Sequence, residues 1–95
     1  MDYLITKYNI DNFPVFQADL DRRSNRKECE MILELMNRYA HAVIDYELDY
    51  DRWHMGRRSE LIDLLVELYG VYDGAINEVV EYAKHFAAEI KEAQA

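Results

Sequence analysis

Between Cys29 and Tyr46 the chain is apolar around most of a helix's circumference, and this constrains the fold more than any other feature. Cys29, Ile32, Met36, Tyr39/Ala40, Val43 and Tyr46 recur at three-to-four spacing, and Met31, Leu33, Leu35, Ala42 and Ile44 widen the face. What remains polar is one narrow stripe of Glu30, Glu34, Asn37, His41 and Asp45. A helix of this kind has to be covered on several sides. It is therefore predicted as the central element, capped by Ser24 and running to about Leu48.

Two further helical patterns follow. Residues 59–69 leave only Glu60, Asp63 and Glu67 as a polar stripe, which predicts a second, nearly buried helix ending at Gly70. Its start can be as early as Arg52. Asp73 is placed to cap a third helix with the face Ile76, Val79, Val80, Ala83, Phe86, Ala87 and Ile90. The opposite side of that helix carries Glu78, Glu81, Lys84, His85, Glu89 and Glu92. Short connections between the three imply an all-α fold, a small antiparallel three-helix bundle over residues 22–95.

Residues 1–21 read differently. Tyr3, Leu4, Ile5, Tyr8 and Ile10 fit a short strand or extended arm, ended by Asp11, Asn12 and Pro14, because proline pushes Phe13 out of helical geometry. Phe13, Val15, Phe16 and Leu20 are too apolar for a free tail, so this N-terminal arm is expected to fold back over the bundle. The first helix would span about 36 Å and the second under half of that, at about 1.5 Å per residue. The mismatch, with the narrow polar stripes, predicts a homodimer.

Ninety-five residues, 51% of them hydrophobic, suffice for one ordered domain. The net charge of −8, from 11 basic and 19 acidic residues, argues against a surface that grips nucleic acid or anionic lipid, since phosphate binding depends on Lys and Arg. Cys29 cannot form an internal disulfide and reads as a buried thiol in a reducing compartment. Its neighbours Glu28 and Glu30 disfavour a thiolate. With neither a signal-peptide pattern nor a membrane-length apolar run, a cytoplasmic location is expected.

The densest charge lies in residues 45–51, Asp-Tyr-Glu-Leu-Asp-Tyr-Asp, with four carboxylates, two tyrosines and no cation. Such a run suits a surface that meets positive charge. Asp45, Glu47, Asp49 and Asp51 alternate like calcium-loop ligands, but Tyr50 stands where the tight turn needs glycine and Gly56 where the closing glutamate belongs. His41/Asp45 and Glu81/His85 are i,i+4 pairs, a spacing that more commonly makes helical salt bridges than metal sites. Basic residues cluster at Arg22, Arg23, Arg26 and Lys27 and again at Arg52, Arg57 and Arg58, and are expected to pair with the 45–51 acids. No Gly-rich phosphate loop, CxxC or nucleophile elbow is present, so no catalytic residue, cofactor or metal is expected.

The pairs Glu60/Asp63 and Glu78/Glu81 resemble the Mg²⁺-binding acids of all-helical nucleotide pyrophosphohydrolases of the MazG type. The chain departs from that pattern at Ser59-Glu60, where the family has a doubled glutamate, and at Glu81, where aspartate is usual. In size, charge and fold class the chain is also similar to small acidic phage or mobile-element proteins that mimic DNA or block CRISPR and restriction effectors. The expectation is thus a non-catalytic protein that binds and inhibits a basic, nucleic-acid-handling protein. Asp45, Tyr46, Glu47, Asp49, Tyr50, Asp51, Glu60, Asp63 and Glu67 would form the contact. A homodimeric structural or adaptor bundle is the first alternative and the Mg²⁺-dependent hydrolase the second.

Overall fold

A computed structural model describes residues 4–6, 9–50 and 58–94, and among them every regular element is helical. A 3₁₀ turn at Ile10–Asn12 leads into α1 (Pro14–Asp21). It is followed by α2 (Arg26–Leu48), α3 (Arg58–Tyr69) and α4 (Ile76–Gln94). The central role falls to α2, which packs against both α3 and α4. Ile32, Met36 and Ala40 have no exposed surface, and Val43 is buried with them against Leu68 of α3 and Val79 and Ala83 of α4. The all-α bundle follows directly from the periodicity.

Caps and arm depart from expectation in detail. Asn25, not Ser24, caps α2, its Oδ1 accepting from the Glu28 N–H at 3.2 Å. The hydroxyl of Tyr72, not Asp73, accepts from the Ala75 N–H just before α4. Past the stretch read as a strand or extended arm, the remainder of the arm is helical, forming the 3₁₀ turn and α1. Phe13 is non-helical as its following proline requires, but Pro14 then opens a helix, the first-turn position where its missing N–H costs nothing.

The arm covers the bundle with Ile5, Phe13, Phe16 and Leu20, all buried. Phe13 meets the Tyr82 ring edge-on at 4.8 Å, and Phe16 lies 5.4 Å from the Tyr72 ring. Burying each phenylalanine stabilises the arm by about 2 kcal/mol. Polar contacts hold it in register. Asn37 Oδ1 accepts from the Ile5 N–H at 2.8 Å while its Nδ2 donates to the Ile5 and Leu33 carbonyls. Asn37 is thereby 1% exposed, so the polar stripe read for α2 is interrupted where the arm crosses it.

Around the α3–α4 connection, Tyr72 donates to Asp19 Oδ2 at 2.6 Å and Arg23 lies over the Tyr72 ring. A Cβ on Gly74 would fall 2.6 Å from that hydroxyl and 2.7 Å from the carboxylate, so a side chain there would displace the Tyr72–Asp19 pair.

The second helix is the main correction. Leu68 alone is buried on α3, whereas Ile62, Val66 and Tyr69 are exposed. This helix packs chiefly on α2, with Val80 and Lys84 of α4 beside its Leu61 and Ile62, and its outer side is exposed.

Candidate acidic binding surface

Each acid is placed by the helix that carries it. Asp45 lies in the last turn of α2 and Glu60 in the first turn of α3, and the two helices hold them on one open cleft of about 460 Å³. His41, Leu48 and Leu64 share that cleft. The His41 Nε2 is buried there without a hydrogen-bond partner among the described residues. Glu60, Asp63 and Glu67 are all exposed along one flank of α3. At 1.5 Å per residue they stand about 4.5 and 6 Å apart along its axis.

The run 45–51 is divided by this geometry. Tyr46 and Glu47 face a second groove, of about 310 Å³, which also takes Arg58, Ile62, Val80 and Lys84. Glu47 therefore shares its groove with two cations, while Asp45 stands on the other one. Tyr46 reaches along the helix to Tyr50, ring centroids 5.4 Å apart and edge-on. Asp49 and Tyr50 are exposed at the end of α2, and Asp51 lies outside the described residues. One contiguous acidic patch in the sequence becomes an acid cleft and a mixed-charge groove.

The first basic cluster does not reach these acids. Arg22 pairs with Asp19, Arg23 with Glu28 at 3.1 Å and Arg26 with Glu30 at 3.3 Å, all near the arm. Arg58 faces the mixed groove, and Arg52 and Arg57 lie outside the described residues. His85 pairs with Glu89 and not with Glu81.

Glu78 proves to be structural. Its two carboxylate oxygens accept from the Val15 and Phe16 N–H groups, at 3.3 and 3.0 Å, closing the N-terminus of α1. Phe13, in the cap position, has no side-chain acceptor, so the carboxylate comes from α4. The sequence shows only that Phe13 cannot cap the helix itself, and nothing local points to Glu78. With Glu78 so engaged, the four acids of the hydrolase resemblance do not gather. Among the described residues no group of three or more His, Cys, Asp or Glu side chains is placed to hold a metal ion.

Among the described residues, a resolved ionisation shift belongs to Tyr39, which lines the mixed-charge groove beside Tyr46 and Glu47. Burial pushes the Tyr39 phenol above its ordinary value, and nearby Tyr69 adds to the effect. Among the described residues no helix is long and apolar enough to cross a membrane. Compared with known proteins, the chain matches no family model, no curated protein and no solved structure.

Proposed function

We propose that this protein is a non-catalytic acidic binder that occupies the cationic surface of a nucleic-acid-handling protein and thereby inhibits it. The observation that carries this reading is the convergence of Asp45 and Glu60, from separate helices, on one open cleft. Asp63 and Glu67 continue the negative charge along α3 as a regular row of carboxylates. Asp49 and Tyr50, exposed at the end of α2, extend the same contact, with the tyrosine supplying rigid apolar area. Glu47 and Tyr46 contribute from the adjoining groove. A net charge of −8 adds long-range attraction to any cationic partner.

The test is displacement of labelled duplex DNA from restriction and RNA-guided nucleases by the purified chain. Displacement is expected to weaken steeply with salt, as the Debye length falls from about 10 Å at 0.1 M to about 3 Å at 1 M. Replacing Asp45, Glu60, Asp63 and Glu67 by their amides should slow association while leaving the helical content intact. Equal displacement by that quadruple variant would show that the acid surface is not the contact.

A further inference from the structure

The flank of α3 opposite the acids carries a different feature. Ile62, Val66 and Tyr69 are 53%, 65% and 52% exposed and follow one another at i, i+4 and i+7. That spacing makes them one continuous stripe. Ile62 also lines the mixed-charge groove, so the stripe runs on into apolar surface at Leu61 and Val80. We propose that this stripe is a self-association surface, on which α3 of a second copy docks antiparallel with Ile62 of each copy against Val66 of the other.

Charge selects the occupant and its direction. Arg58 stands at the N-terminus of α3, where its own helix dipole opposes it, and no basic residue occupies the last turn. In the antiparallel pair, Arg58 lies one turn before Ile62. It therefore meets the second copy's α3 one turn beyond Val66, at Tyr69 and the carbonyl end of the helix. The cation is favoured there twice, by the negative end of the dipole and by the tyrosine ring. A parallel pair would instead set Arg58 against its own copy and repel. Such a two-fold contact is isologous and closed, so it stops at two chains. Glu60, Asp63 and Glu67 lie about a third of a turn away around the helix and stay exposed, so one dimer displays two acid rows.

The experiment is light scattering and sedimentation of the full chain, expected to give the mass of two 11.3 kDa copies. Val66→Glu places a charge on an already exposed position and should yield the single-chain mass with unchanged helical circular dichroism. Arg58→Glu should weaken self-association by about tenfold, whereas Glu67→Gln on the acid flank should not. The direction is read by crosslinking in a Cys29→Ala background. A chain with Ile62→Cys mixed with one carrying Val66→Cys should form the mixed disulfide in preference to either self-pair. A single-chain mass at about 100 µM, a dimer that survives Val66→Glu, or preferential Ile62→Cys self-pairing would each overturn the proposal.

Discussion

Asn37 shows how much of the arm depends on one side chain. Its amide meets both the N–H and the C=O of Ile5, as a neighbouring strand would, in a site with 1% exposure. Asn37→Leu keeps the volume but strands both backbone groups, each costing about 1–3 kcal/mol if left buried. Urea unfolding should show a loss of about 2–4 kcal/mol, smaller if the arm lifts off and lets water satisfy Ile5. Tyr39 supplies a pH signature. Its phenol is raised in the folded state by burial and then by Tyr69, so the native protein holds that proton more tightly than the unfolded chain. The contribution is fully present below the unfolded value of about 10 and is lost as pH rises through the folded one. Tyr39→Phe should therefore flatten the fall in stability above that pH, as followed by circular dichroism. An unchanged alkaline limb would mean that Tyr39 does not drive it.

At the scale of elements, α1 exists because another helix completes it. Eight residues are marginal as an isolated helix, and α1 has no side-chain cap of its own. Two things hold it: Phe16 and Leu20 buried beneath, and the Glu78 carboxylate at its N-terminus. Glu78→Ala should cost about 1–2 kcal/mol. Glu78→Gln keeps one acceptor and should cost less. Hydrogen exchange at Val15, Phe16 and Gln17 should rise in the alanine variant while α2 stays protected. Equal protection in both would mean that burial alone fixes α1. By contrast, α3 is held along one side only, and its outer surface divides into an acid flank and an apolar flank.

For the whole molecule, that division would keep apart the two contacts proposed above. The acid cleft and row suit a cationic partner, and the apolar stripe suits a second copy of the chain. The acid row and the stripe lie on different flanks of α3, while the groove lined by Tyr46, Glu47, Arg58 and Ile62 adjoins both proposed contacts. Charge is distributed accordingly. Arg22, Arg23 and Arg26 pair with Asp19, Glu28 and Glu30 near the arm, whereas Asp45 and Glu60 stand at the α2–α3 end.

The sequence by itself determined the all-α class, the central place of α2, its end at Leu48 and the inward face of α4 apart from Phe86, which is exposed, because helical periodicity is a local property of consecutive residues. It also determined that Phe13 and Phe16 would be buried, since their apolar surface has no stable place in water. Only the tertiary structure decided which polar residues serve the fold. Asn37 and Glu78 look like solvent-facing positions on their own helices, and become partners of Ile5, Val15 and Phe16 when α1 and the arm cross them. It also decided that α3 keeps an apolar side uncovered and that residues 45–47 face two different grooves. Such outcomes depend on which elements meet, and contacts between residues far apart in the chain leave no period in the sequence.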